Sequence, residues 1–433
     1  MRKQAHEALR ACFGLLPRET RFAIYRRLID CDPAPDPRLQ VRIADTREDL
    51  EACFGLLHDA YVASGFMKPD PSGLRVTIYH ALPTTTTLAA TFDGEVVGTM
   101  SLIREGVFGF PLQSVFDLSA LRAQPGRIAE ISALAVHPKF RRTGGAILFP
   151  LMKFMYDYCT SFFDTRHLVI AVNPNKSEMY ESLLFFRRLQ ASVVDNYDFA
   201  NGAPAVGATL DLQDAPARFA AVYGGRRPRK NLHHYFVESA LANLVLPNRH
   251  YFTTNDPVMT PALLDHFFNQ RTRVFDTLDE RQRVLLHAIY GDGDYGAVLP
   301  SLAPSERTEQ PMRRHPRHSL KCPATLTLGA SSHALMVIEL SQHGFQALTD
   351  GPLPPAAAGR LQVHLGRGLH STVDVEVIRR VPSAQGFFHG FLVENPDAAW
   401  QRCVQSLEQS VTHADIGRPA APLIPGEGFR LAC

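Results

Sequence analysis

A basic turn that contains glycine separates a strand pattern from a helix pattern in the segment Arg127–Ala146. Within it, Arg141-x-x-Gly144-x-Ala146 presents unpaired backbone N–H groups at the helix start, where the helix dipole also favours an anion. Glycine lets the backbone approach a ligand closely, and Arg141 and Arg142 can add charge-assisted hydrogen bonds. The turn therefore suits a phosphate or pyrophosphate, although glycine also stands at many such junctions for packing alone.

A second spacing lies on the next strand and helix. The strand pattern His167–Val172 runs into Asn173, and the helix after it completes Asn–(x)6–Tyr–(x)4–Phe with Tyr180 and Phe185. Together with Arg-x-x-Gly-x-Ala, this spacing resembles the GNAT acyltransferase superfamily, in the same order and on the same elements. The resemblance implies an α/β domain with a mixed sheet. Leu184 stands where many members have glycine, a departure that bears on helix packing.

Four further segments narrow the resemblance. They are Leu57–Pro69, Pro150–Lys153, Ala171–Pro174 and Asn201–Ala205, and they resemble the FeeM-type N-acyl amino acid synthases, relatives of acyl-homoserine-lactone synthases. The likeness spans residues 40–215, and the segment to residue 300 resembles the extension of such proteins. It implies transfer of a fatty acyl group from an acyl carrier protein to the amine of an amino acid. Acyl-CoA has the same phosphopantetheine arm and stays open as donor.

The resemblance implies that the pantetheine arm lies between the strands 128–136 and 167–172. A free amine attacks the thioester carbonyl, and a strand N–H near Leu134 and Ala135 stabilises the oxyanion. The donor-binding residues carried over from the family are Leu134, Ala135, Val136, Arg141, Arg142, Gly144, Gly145, Ala146 and Asn173.

Glu130 is the candidate general base that deprotonates the incoming ammonium. Several histone acetyltransferases of the superfamily carry a glutamate there, in a similar Ala-Glu-Ile context. Strand alternation predicts that Glu130 shares a face with Ser132 and Leu134. Two alternatives stay open: Glu130 pairs with Arg127, or it binds the substrate ammonium without catalysing proton transfer.

Two other side chains are candidates for proton transfer. Tyr180 is predicted to protonate the leaving thiolate, and its alternative is a buried aromatic of the helix. His137 is a second candidate base because its ordinary pKa suits the task, although its place before a proline also fits a turn residue.

Two groups of residues are candidates for contact with the acyl donor, one basic and one apolar. An acyl carrier protein is acidic, so a basic rim favours its docking, and the rim residues predicted are Lys139, Arg141, Arg142 and Lys153. An acyl tunnel needs apolar walls, and the candidate wall is Met152, Phe154, Met155, Phe162 and Phe163. The alternative for this set is ordinary core.

A separate motif pair lies near the C-terminus. Arg313-Arg-His-Pro-Arg317 precedes a strand pattern and Glu339-Leu-Ser-Gln-His-Gly344 follows the next, which resembles the PilZ domain over residues 311–409. The implied effector is cyclic-di-GMP, since guanidinium groups stack on guanine and bind phosphate. The implied ligands are Arg313, Arg314, Arg317, Glu339, Ser341 and Gly344. Glu339 departs from the family's Asp or Asn, and a degenerate barrel that contacts protein is the alternative.

These sites need two kinds of scaffold. Strand and helix periods alternate from Leu39, with a hairpin at Asp93-Gly94, and six short strand patterns with a final helix follow residue 311. The fold predicted is a GNAT mixed-sheet domain with a helical extension and an all-β six-stranded barrel. The predicted boundaries are basic helices and a Pro-rich spacer at 1–37, the acyltransferase at 38–215, the extension at 216–300, a linker at 301–310, the barrel at 311–410 and a disordered tail at 411–433.

Composition and charge limit which partners, metals, cofactors and cellular locations we expect. The net charge of +2 excludes whole-chain attraction to nucleic acid, so no nucleic acid polymer is expected as a partner. Seven scattered cysteines without a Cys-x-x-Cys pair argue against a disulfide framework and a structural zinc site, and neither a metal nor a permanently bound cofactor is expected. Without a long apolar run or a signal peptide, we expect a cytoplasmic enzyme. Its basic N-terminal helices either rest on the inner membrane face or pack on the catalytic domain.

Two rival functions stay open. A GNAT-like domain without turnover would make the chain a signalling adaptor that responds to cyclic-di-GMP. A lactone-forming autoinducer synthase would use adenosylmethionine as the acceptor, and the sequence carries no specific signature for that substrate. Amide products from a carrier-protein thioester and mixed amino acids would separate the enzyme from the adaptor.

Overall fold

The N-terminal part of the chain is built on one mixed sheet. The structure is a computed structural model that describes residues 13, 15–106, 108–124, 126–141, 143–162, 165–247, 259–290, 295–302, 318–366, 369–383 and 386–410. The described sheet has nine strands in the order β6-β8-β5-β4-β3-β2-β1-β9, with β7 paired to β8. Its strands are β1 (Leu39–Ile43), β2 (Thr85–Phe92), β3 (Glu95–Arg104), β4 (Arg127–Val136), β5 (Thr165–Val172), β6 (Arg187–Arg188), β7 (Val194–Tyr197), β8 (Ala203–Asp211) and β9 (Leu244–Val245).

Helices cover this sheet and complete the main core. Those of the N-terminal part are α1 (Arg18–Leu28), α2 (Arg47–Ser64), α3 (Ser119–Arg122), α4 (Leu148–Phe162), α5 (Pro174–Leu184), α6 (Ala215–Tyr223), α7 (Pro261–Leu264) and α8 (Glu280–Tyr290). Short 3-10 helices lie at Ile78–Ala81, Pro111–Ser114, Pro138–Phe140, Asp198–Ala200, Pro228–Lys230 and Phe275–Thr277, and π-helical turns at His234–Glu238 and Asp265–Arg271.

Strands β4 and β5 pair for only part of their length. Their parallel ladder runs from Arg127–Thr165 to Glu130–Val169 and ends there. Beyond that point β4 stays paired with β3 as far as Val136, while β5 stays paired with β8 as far as Val172. The two strands therefore diverge, and from Ile131 onward no described strand pairs with the edge of β4 that faces β5.

Strand β4 separates two hydrophobic cores. Successive side chains point to opposite faces, so Ala129 lies in the main core while Ile128 lies in a smaller cluster with Phe110, Leu112 and Val169. Glu130 shares the face of Ile128, since it bonds to the backbone of Leu112. The smaller cluster therefore surrounds the candidate base with apolar side chains.

The extension after β8 belongs to the same core as the sheet. Leu232, Phe236 and Phe267 pack with residues of α2 and α4 in that core. The extension contains the expected helices, and it also contributes β9, which pairs in parallel with β1 and was not predicted. A two-residue strand carries too little periodicity to be recognised from sequence.

Two predicted helix boundaries are wrong. The helix expected from Ala146 begins at Leu148, because Gly144 and Gly145 take φ values of +69° and +92° and hold the turn open. The sequence pattern predicts a helix over residues 177–189, but this helix ends at Leu184, where Phe185 adopts a left-handed conformation with φ 62°, and β6 follows.

The hairpin between β2 and β3 is confirmed. Both turn residues have positive φ, 52° at Asp93 and 85° at Gly94, as a type I′ turn requires. The sequence pattern predicts these strands over residues 86–92 and 96–103. In the structure, β2 begins one residue earlier, and β3 extends one residue further at each end.

Helix α1 packs on α5 through its basic side chains. Arg18 pairs with Glu181 at 2.6 Å, Arg21 donates to Glu178 at 3.0 Å, and Arg26 donates to the Ser182 carbonyl at 2.9 Å. These contacts favour the second of the two roles expected for the basic N-terminal region. Among the described residues, the structure contains no helix with both the length and the apolarity that a bilayer crossing requires.

The C-terminal part is a closed six-stranded antiparallel barrel, as predicted. The order around the barrel is β10-β11-β12-β15-β14-β13, and β13 pairs back to β10. Trp400 of the final helix is fully buried, and its indole Nε1 donates to the Ser341 carbonyl at 3.0 Å. The elements are β10 (His318–Leu328), β11 (Ser331–Ser341), β12 (Gly344–Thr349), β13 (Ala358–Gly366), β14 (Leu369–Ser383), β15 (Gly386–Val393) and α9 (Ala398–Ser410).

Gly344 lies where β12 meets β15 without room for a side chain. A Cβ at this position would lie 2.8 Å from the Phe391 carbonyl oxygen, whereas a Cβ at Gly351 would meet nothing within 4 Å. We predict that Gly344→Ala destabilises the barrel by about 1–3 kcal/mol, because backbone must move to admit the methyl group. The matched variant Gly351→Ala should change stability by less than about 0.5 kcal/mol.

Hydrogen exchange of the β12 and β15 amides in the full chain measures this difference. Faster exchange in Gly344→Ala than in Gly351→Ala is the expected result, and equal exchange would show that the close approach is absent.

Candidate active site

The divergence of β4 and β5 opens a cavity of about 270 Å³. Its walls are mostly apolar and come from β4, β5, α4, α5 and the extension. The lining residues are Tyr61, Phe66, Met100, Ile131, Ser132, Ala133, Leu134, Met152, Met155, Tyr156, Leu168, Ile170, Ala171, Val172, Asn173, Lys176, Tyr180, Leu184, Phe186, Leu210, Phe219 and Phe236. We call this space the donor cavity.

Part of the predicted acyl tunnel lies in this wall. Met152 and Met155 line the donor cavity. Phe154 and Phe162 do not line it: Phe154 is buried in the main core, and Phe162 packs against that core. Phe163 lies outside the described residues.

A β-bulge interrupts β4 beside the donor cavity. Thr99 pairs with Ala135 and Ser101 with Ser132, so Ala133 and Leu134 together oppose one residue of β3. Ala133 has a φ of +52°, which is uncommon for alanine. Alternation therefore holds from Glu130 to Ser132 and is interrupted before Leu134, contrary to the prediction that all three share one face. The bulge also leaves backbone N–H groups out of the β3 ladder at the place expected for the oxyanion donor.

A second, smaller cavity of about 10 Å³ lies on the other side of the bulge. It shares Tyr61, Ser132 and Ala133 with the donor cavity, so the two spaces meet at the bulge. Its remaining lining residues are Leu57, Arg75, Thr77, His80, Ser101, Ile103 and Phe199. The sequence analysis did not identify this cavity. We call it the polar cavity after its side chains Arg75, Thr77, His80 and Ser101, although most of its exposed lining surface is apolar.

Glu130 is buried close to this junction. Its side chain is 1% exposed, and Oε2 accepts a hydrogen bond of 3.1 Å from the Leu112 N–H. Burial raises the pKa of Glu130 to about 8, although the Leu112 hydrogen bond opposes the shift. The lining residues given above for the two cavities do not include Glu130.

Three tyrosines connect Glu130 electrostatically with the cavities. Burial raises the pKa of Tyr61, Tyr79 and Tyr197, and the charge of Glu130 raises each of them further. Tyr61 belongs to the walls of both cavities. Of these three tyrosines, Tyr61 therefore combines a place in the cavity walls with an electrostatic interaction with Glu130.

Tyr180 and Asn173 lie together in the wall of the donor cavity. Burial raises the pKa of Tyr180 to about 12, and its ring packs edge-on against Phe186 at 5.9 Å. Asn173 caps α5 by accepting a hydrogen bond of 3.0 Å from the Asn175 N–H. Lys176, one turn further along α5, also lines the cavity and was missed by the sequence analysis.

The turn predicted to bind phosphate lies on the surface. Gly144 and Ala146 are exposed, and the Arg141 Nε donates to the Val136 carbonyl at 2.8 Å. A Cβ on Gly144 would lie 3.7 Å from the carboxylate of Asp30, which itself pairs with Arg229 at 2.8 Å. The turn residues are separate from the cavity wall described above. Arg142 lies outside the described residues.

The predicted basic rim is partly wrong. Lys139 and Arg141 are exposed beside the turn. Lys153, by contrast, is 3% exposed and bonds to Asp157 at 2.7 Å and to the Phe236 carbonyl at 2.9 Å. The i,i+4 spacing of Lys153 and Asp157 was the signal for this internal pair.

His137 has the role of a turn residue. Its Nδ1 accepts a hydrogen bond of 3.3 Å from the Lys139 N–H at the start of a 3-10 helix. That contact occupies the nitrogen lone pair which a general base would use.

Of the two halves of the motif expected in the barrel, the structure describes only the second, residues 339–344. Arg313, Arg314 and Arg317 lie outside the described residues. Ser341 and Gly344 form the two ends of the β11–β12 hairpin, and the Ser341 Oγ donates to the Gly344 carbonyl at 3.1 Å. Glu339 lies two residues before Ser341 on β11, paired in register with Gln346.

Known families match both parts of the chain. Residues 52–211 match the family model described as N-acyl amino acid synthase FeeM, and residues 311–407 match the PilZ domain. No curated protein matches the chain.

Solved structures resemble each part separately. FeeM from uncultured soil microbes is 25% identical, with 42% of this chain and 95% of that chain covered and a TM-score of 0.36. The CoA-dependent acyl-homoserine lactone synthase BjaI is 19% identical, with 49% and 95% covered and a TM-score of 0.35. The PilZ domain of YcgR from Escherichia coli, solved with c-di-GMP, is 21% identical, with 22% and 92% covered and a TM-score of 0.20.

The raised pKa of Glu130 makes stability depend on pH. A carboxyl whose pKa is higher in the folded state stabilises the fold below its ordinary pKa of 4.5, and this contribution is lost as pH rises towards 8. Glu130→Gln keeps the shape and stays neutral. We predict that the variant gains about 2–4 kcal/mol of unfolding free energy relative to wild type between pH 5 and pH 8.

Urea unfolding of both proteins at the two pH values measures this gain. Glu95→Gln is the control, because Glu95 is exposed on β3. An equal response of wild type and Glu130→Gln to pH would contradict the burial of an ionisable carboxyl here.

Proposed function

We propose a reaction for this chain from the two families that it matches. Residues 52–211 belong to the FeeM family of N-acyl amino acid synthases, and residues 311–407 belong to the PilZ domain family. The N-terminal part is an N-acyltransferase. We infer that it moves a fatty acyl group from the thioester of an acyl carrier protein to the amine of an amino acid. The observation that carries this inference is the meeting of an apolar cavity and a polar cavity at the β4 bulge.

The donor would lie along the open edge of β4. Backbone groups from Ile131 onward have no strand partner on that side, so the pantetheine amides can pair with them as an added strand would. The acyl chain then occupies the donor cavity near Met152 and Met155. The phosphate end would reach the turn at Gly144–Ala146, and the exposure of Gly144 and Ala146 supports this role. The Ala146 N–H donates to the Thr143 carbonyl at 3.4 Å and would have to exchange that contact for the phosphate.

Three exposed cations suit an acidic carrier protein as the donor. Lys139 and Arg141 lie beside the turn, and Lys176 lies at the donor cavity. An acidic carrier protein gains both orientation and association rate from such a rim.

The reaction balances without a cofactor. The acceptor nitrogen, once deprotonated, attacks the thioester carbonyl, and the oxyanion accepts hydrogen bonds from backbone N–H groups at the bulge. The tetrahedral intermediate collapses with formation of the C–N bond and loss of the C–S bond. Glu130 takes one ammonium proton through Tyr61 before the attack. Tyr180 donates a proton to the leaving thiolate and takes the second proton, which the nitrogen loses as the amide forms.

The barrel would bind cyclic-di-GMP and alter the rate of acyl transfer. Arg313, Arg314 and Arg317 would supply guanidinium groups for guanine and phosphate, together with Glu339, Ser341 and Gly344. The Ser341–Gly344 hydrogen bond supports this proposal because it fixes the hairpin that carries the motif.

We predict that the purified full-length chain forms an N-acyl amino acid from acyl carrier protein thioester and mixed amino acids. Glu130→Gln should lower kcat about 100-fold or more, and Tyr180→Phe about 10-fold or more, because each variant removes a proton-transfer group. The wild-type rate should rise with pH through about 8, the pKa of Glu130, and Glu130→Gln should lack this rise.

Mass spectrometry of the products measures the outcome. Absence of amide product with every acceptor would support the adaptor function instead. Unchanged kcat in Glu130→Gln would leave the acyltransferase in place and remove Glu130 from the mechanism.

A further prediction concerns the effector. Cyclic-di-GMP should bind the full-length chain, and Arg317→Ala should weaken binding by about 10-fold or more through loss of a charge-assisted contact. Titration calorimetry measures binding, and turnover with and without saturating nucleotide measures coupling. Equal turnover in both conditions would end the claim of regulation while leaving binding intact.

A further inference from the structure

Arg75 places a guanidinium group in the wall of the polar cavity. It lies between α2 and the 3-10 helix Ile78–Ala81, and its carbon Cζ is 4.1 Å from the ring centre of Tyr61 and 5.0 Å from that of Phe199. Its Nη2 donates to the Phe199 carbonyl at 2.7 Å. Two aromatic rings and one carbonyl oxygen therefore hold the cation in place.

The charge of Arg75 is not balanced by an acid. Among the residues that the structure describes, Arg75 has no carboxylate oxygen within ion-pair distance, and burial lowers its pKa. His80 beside it is buried, and its pKa of about 3 keeps it neutral. Glu130, with a pKa of about 8, is largely protonated at neutral pH. An anion that joins Arg75 would therefore offset the cost of burying this charge.

A buried hydroxyl nearby also lacks a partner. Within the described part of the chain, the Tyr197 Oη is buried and makes no hydrogen bond. The charges of Arg75, Tyr61 and Glu130 all influence the pKa of Tyr197, which places its hydroxyl in the same cluster. Unpaired buried hydroxyl groups are rare, and a bound ligand is one way to satisfy them.

We propose that Arg75 binds the carboxylate of the acceptor and so restricts the acceptors to amines that carry a carboxylate next to the amine. This inference rests on the acyl transfer proposed above. A carboxylate on Arg75 directs the adjacent nitrogen toward Tyr61, Ser132 and Ala133, the residues at which the two cavities meet. Orientation of this kind lowers the barrier to attack because both reactants are already in place.

Binding requires a local change of shape. The polar cavity of about 10 Å³ holds about one water molecule, so an amino acid enters only if part of the wall moves. Arg75 donates to the Phe199 carbonyl through Nη2 and to the Met67 Sδ, at 3.9 Å, through Nη1. The contact that would open is the one to the Phe199 carbonyl, since Phe199 lies on the short helix Asp198–Ala200 between two strands. The acceptor carboxylate then takes the place of that carbonyl and can bond to the guanidinium with two oxygens.

The experiment compares acceptors that differ only in the carboxylate. For the best amino acid acceptor of the wild-type enzyme, kcat/KM is measured beside its decarboxylated amine and its primary amide, with one carrier-protein thioester as donor. Wild type should prefer the amino acid by about 100-fold or more. Arg75→Gln should lower kcat/KM for the amino acid by about 100-fold and change that for the decarboxylated amine by less than about threefold.

Two further variants test why kcat/KM for the amino acid falls in Arg75→Gln. Arg75→Lys keeps the charge without the planar pair of donors, and should recover part of the preference. Arg273→Gln removes a surface arginine of the extension, which is 84% exposed, and should match wild type with all acceptors.

The outcomes separate this inference from the proposed function. If wild type uses the decarboxylated amine with the same kcat/KM as the amino acid, the inference is overturned. This comparison needs no variant, so it holds even if the variants fail to fold. An unchanged preference in Arg75→Gln would also overturn it, while amide formation by the same protein upholds the acyltransferase. Absence of amide with every acceptor would overturn both.

Discussion

The parting of β4 from β5 after the Glu130–Val169 pair is the constraint on which the site depends. Backbone groups in a sheet normally satisfy one another, and here one strand edge is left available over the length of the donor cavity. The bulge at Ala133 lies on the same stretch, so free N–H groups, an apolar space and a polar space coincide. A substrate that brings its own amides can complete this edge, which a simple apolar ligand cannot do.

The site also contains ionisable groups that an apolar core does not favour. Glu130 is buried among apolar side chains and stays protonated over much of the neutral range, while Arg75 is held by aromatic rings without a carboxylate among the described residues. Each group lowers the stability of the apo fold relative to a well-packed apolar residue. Retaining both within one site is understandable if an amine and a carboxylate enter together, because the substrate then supplies the missing partners.

The sequence predicted the scaffold better than the site. Strong alternation and the Asp93-Gly94 turn identified the central strands, and close spacing of short strands identified the barrel. The bulge could not be predicted, because alanine rarely adopts the positive φ that Ala133 has and carries no turn signal. Lys153 looked like a surface cation because the Phe236 carbonyl reaches it only in the folded chain, although its i,i+4 spacing to Asp157 was visible in the sequence. Arg75 lies between periodic segments, where local patterns indicate nothing about burial.

The central claim is that the donor pairs with the open edge of β4 at the bulge. Amide hydrogen exchange with and without a non-hydrolysable acyl-pantetheine analogue tests it most directly. The account predicts slower exchange at Ile131–Ala135 when the analogue is bound, with no change at the β1–β9 edge of the same sheet. Saturating analogue that leaves exchange at Ile131–Ala135 unchanged would contradict it.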